Sequence, residues 1–294
     1  MNREYVIYTD VSADVDAGFA KENGVGFVPM HYTLGQEDRM CEHLESDELL
    51  KKFYDGQRDG DMTRTSQITP QHYIDLFEPI LKEGKDILYL SLSSGLTKTY
   101  DSACLAANEL AETCPDGRFI PVDSLCATGG MGLLVESAYQ NQKDGMSIEE
   151  NAQWLREHVQ QVCHWFKVED LMYLKRGGRI PATTAVIGTA LNIKPILEID
   201  SEGKLITIEK KRGTKLAIKS LLNKYMETRD PKLGDRVYIV HADCDQDADV
   251  LEAMLKEANP KVVITRMMLS PIIGAHTGPG MMALIHYGKP SSRS

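Results

Sequence analysis

The sequence predicts an α/β protein in two parts. The first is an N-terminal doubly wound, mostly parallel sheet with helices on both faces, and the second is a C-terminal mixed α+β domain. Three observations point there. Strand-like and helix-like segments alternate through the first half at the spacing of βαβ units. Ile87–Leu92 is a continuous apolar run of the kind buried in parallel sheets. Past about residue 165 the pattern changes, and Ile193–Ile199 and Lys204–Glu209 flank Asp200-Ser201-Glu202-Gly203 as a hairpin would. The expected units are residues 1–165 and 166–288, with 289–294 a frayed, disordered tail.

Each element has its own local reason. Tyr5–Tyr8 is a short apolar strand that ends in the polar turn Thr9–Asp14, and Val25–Tyr32 is a second strand. Ser46–Tyr54 carries Leu49, Leu50 and Phe53 on one helical face. Thr69-Pro70 pairs a hydroxyl cap with Pro at the first helical position, opening a helix with Tyr73, Phe77, Ile80 and Leu81 on one stripe that stops at Gly84. A helix over Tyr100–Thr113 and a strand near Arg118–Val122 follow. Gly129-Gly130-Met131-Gly132 is a turn leading into another helix, and Ser147-Ile148-Glu149-Glu150 fits a capping box that opens a further one. The second half reads as strands at Cys163–Val168, Arg236–His241, Val262–Met267 and Gly280–Tyr287. Its helices are a short turn at Leu171–Leu174 and longer ones at Lys215–Thr228 and Asp247–Ala258.

Composition narrows the function. The chain has 294 residues, 42% hydrophobic and 26% charged, with a formal net charge of −10. That is long enough for a buried core and too acidic for non-specific nucleic-acid binding. No apolar run approaches the ~20 residues of a membrane span, and the first ten residues lack a signal-peptide core, so a cytoplasmic protein is expected. Six cysteines (41, 104, 114, 126, 163, 244) form no C-x-x-C pair, so neither a zinc ribbon nor a disulfide framework is expected. The eight histidines show no ligand spacing, so no metal is expected. The glycines at 129–132 do not spell a dinucleotide fingerprint; close helix–strand packing explains them better.

Three constellations remain as candidate sites. Hydroxyls cluster at Thr65-Ser66, ahead of one helix, and at Ser93–Thr99, at the carboxyl end of the clearest strand. Free amides and hydroxyls there suit a carboxylate or phosphate, although the same residues also serve as caps and turns. In Lys175-Arg176-Gly177-Gly178-Arg179 the glycines permit close backbone approach and positive φ, and Arg179 can fork onto an anion. His276 lies in Gly274-Ala275-His276-Thr277-Gly278-Pro279-Gly280, where it has room to move and is poised to titrate near neutral pH. Lys204, Lys210, Lys211, Arg212, Lys215 and Lys219 form a basic stretch, a solvated face that can also meet an anionic partner or, transiently, a membrane surface.

Seven motifs in order resemble the DegV family. They are Thr9-Asp10, Thr65-Ser66-Gln67, Ser93–Tyr100, Val122-Asp123-Ser124, Lys175–Ile180, Ile193-Lys194-Pro195 and Ala275–Gly280. The resemblance runs from about Tyr5 to Tyr287 and implies a two-domain protein with a lipid tunnel between or within its parts. It implies a carrier that binds one long-chain fatty acid, such as palmitate or oleate, needs no cofactor and is not an enzyme alone. Such a carrier presents the carboxylate to a separate ATP-dependent fatty acid kinase subunit and passes the product towards an acyltransferase for phospholipid synthesis. Carried over by position, Thr65, Thr97, Arg179 and His276 hold the carboxylate, Ser66 and Ser94 support it, and Arg212 serves the kinase step. Burying a sixteen-carbon tail is worth at most on the order of 12 kcal/mol without fixing its register, so the head group must be hydrogen-bonded.

The chain departs from the family pattern at Val11, where a Ser is usual, at Thr97, which adds a methyl, and at Lys98, where a Gly is usual. Lys98 is expected to remove a positive-φ position and bring a cation to the head group. The competing reading is a stand-alone hydrolase or phosphotransferase with Ser94 or Thr97 as nucleophile and His276 as base, and no activated-nucleophile signature supports it.

Overall fold

The computed structural model describes residues 3–42, 45–181 and 192–294. The chain begins β1 (Tyr5–Asp10), α1 (Ala17–Asn23), β2 (Gly26–Val28), β3 (Met30–Leu34), β4 (Glu37–Cys41) and α2 (Asp47–Arg58). It continues through β5 (Thr63–Thr65), α3 (Pro70–Lys82), β6 (Asp86–Ser91), α4 (Thr99–Thr113), β7 (Phe119–Asp123), α5 (Gly129–Lys143) and α6 (Ile148–His158). Next come β8 (Val162–Lys167), α7 (Leu171–Arg176), β9 (Ile193–Ile199), β10 (Leu205–Arg212) and α8 (Thr214–Thr228). The last elements are β11 (Arg236–His241), α9 (Asp245–Ala258), β12 (Val263–Met268), α10 (Pro271–Thr277) and β13 (Met282–Tyr287).

The fold is α/β, as the alternation implied. A four-stranded sheet runs β2-β1-β6-β7, and all of its pairings are parallel. A six-stranded mixed sheet runs β10-β9-β8-β13-β11-β12, and a small antiparallel sheet runs β4-β3-β5. Helices α3 and α4 pack on β6, and α5 and α6 also reach this sheet. Helix α5 touches β8, β11 and β13 as well, so it is shared by the two large sheets. One apolar core therefore runs from Tyr5 through Met131 and Leu134 to Ile285, and a second lies under α8 and α9.

Local signals explain the boundaries. The Thr69 hydroxyl accepts from the His72 N–H and Pro70 opens α3. Both bonds of the Ser147–Glu150 capping box are present at α6. The glycines at 129–132 are the first turn of α5 rather than a turn ahead of it. A Cβ on Gly129 would meet the Tyr238 ring at 2.7 Å, and one on Gly132 would meet the Asp14 carbonyl at 2.7 Å, so their smallness serves close packing.

Three expectations need correction. Val25–Tyr32 is two strands in different sheets, because Pro29 has no N–H to extend the ladder. The tail at 289–294 is not frayed. Arg293 is buried, and its guanidinium donates to the carbonyls of Ile199 and Val159 at 3.0 Å, Leu125 at 2.7 Å, and Asp200. Those four carbonyls supply the order that composition did not signal. The expected boundary at 165 falls inside β8, which belongs whole to the six-stranded sheet.

Candidate functional site

Between the four-stranded and six-stranded sheets lies a cavity of about 420 Å³, within the ~300–1,000 Å³ range of ligand pockets. Leu92, Leu96 and Ala127 line it from the N-terminal half, and Phe166, Leu174, Ile199, Leu205, Ile272 and Met281 from the C-terminal half. Its polar wall contains Thr65, Ser66, Gln67, Thr97, Arg179 and His276. Three distant constellations of the sequence therefore meet at one place.

Each polar side chain is held by identifiable contacts. Thr65 ends β5, where it pairs with Tyr32 of β3. The Thr63 hydroxyl donates to the Ala275 carbonyl at 3.1 Å, and Gln57 Nε2 donates to the Gly274 carbonyl at 3.0 Å, docking α10 against β5 and α2. That docking places His276 Nε2 2.8 Å from the Thr65 hydroxyl. Thr97 lies in the loop after β6, its N–H donating to the Ser93 carbonyl at 3.2 Å and its hydroxyl 3.0 Å from that of Thr99. The Ser93 hydroxyl in turn donates to the Gly203 carbonyl at 2.8 Å, tying this loop to the β9–β10 hairpin. Arg179 follows α7, with its N–H on the Leu174 carbonyl at 2.9 Å and its guanidinium on the Gly177 carbonyl.

The electrostatics favour an anion. Arg179 is half-buried, desolvation lowers its pKa from the ordinary value, and no carboxylate pairs with it among the described residues. His276 corrects an expectation: it lies on α10 rather than in a mobile loop. Desolvation first, and then the Arg179 charge, push its pKa down to about 4, so the ring is neutral at pH 7. With its proton on Nε2 the neutral imidazole donates to the threonine oxygen, and the threonine O–H is then left to donate to an oxyanion. Of the two glycines expected at positive φ only Gly178 is so, at 73°. Gly177 is needed because a Cβ there would run into His276 Nδ1.

Thr65, Arg179 and His276 also line a second, outer pocket of about 350 Å³ together with Arg64, Tyr173 and Arg176. These three residues thus belong to both pockets. Two expected residues stand elsewhere. Ser94 is not in the cavity lining; its N–H donates to Asp123 at 3.1 Å. Arg212 is exposed at the end of β10, outside that lining. The His276 bond goes to Thr65, and not to the nucleophile candidates Ser94 or Thr97.

Compared with known proteins, residues 4–289 match the model of the DegV family. The chain belongs to the DegV family. A DegV domain-containing protein of Clostridium perfringens is 36% identical over 287 residues, spanning 97% of this chain and 98% of the relative. A fatty-acid-binding DegV family protein from Thermus thermophilus matches with TM-score 0.84 at 27% identity, over 98% of this chain and 100% of that one. The fatty acid kinase B3 protein of Streptococcus pneumoniae, loaded with linoleic acid, matches with TM-score 0.81 over 97% of this chain and 100% of that one. At 19% identity that last likeness speaks for the fold alone.

Two departures from the DegV pattern can be placed. Val11 is buried in the core. Lys98 has φ −92°, which any residue adopts; it does line the cavity, and its ammonium pairs with Asp101 at 3.1 Å with the side chain 73% exposed. Sequence reading passed over Thr128, His164 and Thr277, which also line the cavity. His164 had one usable signal, an imidazole inside a strand that is otherwise mostly apolar; burial pushes its pKa down to about 3. Among the described residues no cluster of His, Cys, Asp or Glu could hold a metal ion, and no helix is long and apolar enough to cross a membrane.

Proposed function

We propose that this DegV family member binds one long-chain fatty acid, with the tail in the cavity between its halves and the carboxylate at Thr65, Thr97, Arg179 and His276. The observation that carries this reading is an apolar cavity that meets a half-buried arginine, paired with no carboxylate among the described residues, and a neutral histidine bonded to a threonine. Apolar burial holds the tail, and the hydroxyl and guanidinium donors satisfy a carboxylate that would otherwise be stranded away from water. Native mass spectrometry of the protein purified from bacteria should show an adduct of fatty-acid mass. A clean apo protein with no affinity for palmitate or oleate rejects the proposal.

We further infer that the chain acts as a substrate carrier in the cytoplasm and leaves phosphorylation to a separate ATP-dependent kinase subunit. The shared wall supports this, since Thr65, Arg179 and His276 face an outer pocket from which a partner can reach the head group. Incubating the loaded chain with ATP, with and without a fatty acid kinase subunit, tests it. Acyl-phosphate formed by the isolated chain contradicts a pure carrier role.

A further inference from the structure

Strand β8 reads Val-Cys-His-Trp-Phe-Lys, and the two-residue period of a strand puts Val162, His164 and Phe166 on one face and Cys163 and Trp165 on the other. The first face meets the core shared by the two large sheets, and the second meets the core under α8 and α9. Strand pairing fixes where His164 stands along the cavity. Antiparallel β8 and β13 set Lys167 beside Met282, Phe166 beside Ala283, His164 beside Ile285 and Val162 beside Tyr287. The head-group residues lie off the Lys167–Met282 end, because β8 leads through α7 to Arg179 and α10 with His276 leads into β13. From that end Met281, Phe166 and Ala283 line the cavity, followed by His164 and by Ile199 of β9 and Leu205 of β10, which pair with each other. Ile285, Val162 and Tyr287, at that level and the next, do not line it. The cavity stops at His164.

The ring is fixed there. His164 is 2% exposed, and its Nε2 lies 3.1 Å from the carbonyl oxygen of Ala127, so the side chain reaches from the six-stranded sheet to the segment ahead of α5. A Cβ on Gly130 would run into the same nitrogen, so the first turn of α5 backs the ring and leaves it no room to yield. The Arg293 guanidinium braces the backbone around this end by donating to the carbonyls of Ile199 at 3.0 Å and Leu125 at 2.7 Å. Burial keeps the imidazole neutral, so it meets an apolar tail without a charge.

We propose that His164 is a specificity-determining residue: its ring is the end stop for the terminal methyl of the fatty acid and sets the longest tail that the cavity takes. This rests on the reading of the cavity as a fatty-acid site with its head group at Thr65, Thr97, Arg179 and His276. Each methylene that finds room raises affinity about fourfold. A methylene pressed against a ring with backbone behind it gains no burial and forces its surroundings off their preferred packing.

The test measures affinities for the straight-chain saturated acids from lauric to behenic, by displacement of the fluorescent fatty acid cis-parinaric acid, in the native chain and in His164→Ala. Native affinity should climb about fourfold per methylene to an optimum length and then fall. Removing the ring frees space for about two methylenes, so the optimum in His164→Ala should lie about two carbons longer. The affinity of that longer acid relative to the native optimum acid should rise at least about tenfold, and because the ratio is taken within one protein a general loss of stability cancels. Native uptake with the same length profile in His164→Ala overturns the His164 role and leaves the fatty-acid reading standing. If His164→Ala does not fold, nuclear Overhauser contacts from the ¹³C-labelled terminal methyl of the optimum acid in the native chain decide. Contacts to the His164 ring protons support the end stop, and contacts to other residues alone overturn it. A native chain that takes up none of these acids rejects the fatty-acid reading and the end stop together.

Discussion

Replacing Thr65 by valine keeps the shape of the side chain and removes only the hydroxyl that stands 2.8 Å from His276 Nε2. Two interactions should go at once: the bond to the carboxylate and the bond that orients the imidazole. A hydrogen bond to a charged group is worth about 1.5–3 kcal/mol, so Kd for a fatty acid should rise about 10- to 100-fold. The tail is untouched, at about 0.8 kcal/mol per methylene, so the variant should still bind and lose mainly its discrimination of the head group. The informative assay compares oleic acid with oleyl alcohol by calorimetry, because the tail contribution cancels in the ratio. The native chain should favour the acid strongly, and Thr65→Val should bring the two ligands within a few-fold. An unchanged ratio would falsify the assignment of Thr65 to the head group.

Four further outcomes follow from the same geometry. Gly177→Ala should weaken fatty-acid binding about tenfold by displacing His276, since the new Cβ meets Nδ1; native affinity in that variant, measured by the same calorimetry, contradicts the packing argument. His276→Ala and Arg179→Ala should slow phosphorylation by a partner kinase more than they weaken binding, because both residues border the outer pocket; equal losses in the two assays refute that division. Arg293→Ala should cost about 3 kcal/mol in urea unfolding, since the carbonyls of Ile199 and Val159 lose a charged donor, and a change below about 1 kcal/mol returns the tail to a passive role. Stability should fall on acidification from pH 6.5 to 4. His164, His276 and His286 titrate near 3, 4 and 4 in the fold, so the unfolded chain takes up protons first, worth about 3 kcal/mol for a histidine lowered to 4. Asp14, raised to about 7, works in the opposite sense over this range, and a flat or rising stability on acidification by calorimetry means the histidines are not held neutral.

What could be read in advance separates by physical cause. Thr69-Pro70 and the Ser147–Glu150 box act on their own backbone, so the starts of α3 and α6 were legible from a few adjacent residues. Ile87–Leu92 was legible because a strand buried on both faces needs no alternation. The small β4-β3-β5 sheet was not, since β4 is largely exposed Glu-Asp-Arg-Met and β5 is three residues long, leaving no period to detect. Helix α10 carried a Ser270-Pro271 start of the same kind as Thr69-Pro70, but the glycines around His276 outweighed it and suggested a loop.

Those glycines show why the residues of the candidate site could be picked out while their surroundings could not. A glycine in sequence signals either freedom in the chain or want of room around it, and the two have opposite consequences for a neighbouring histidine. Here the second holds. A Cβ on Gly274 would strike the Tyr54 hydroxyl, and one on Gly278 would strike the Tyr173 ring at 2.5 Å. The glycines therefore press α10 into its neighbours. The same closeness that removes water from His276 lowers its pKa to about 4 and sets it against Thr65. An imidazole free to titrate near neutrality would gain and lose charge beside a ligand; one packed this tightly would offer the proposed carboxylate a constant neutral partner and leave the positive charge to Arg179. The side chains that close on α10 from α2, β5 and α7 decide between those two, and they lie about a hundred residues or more upstream.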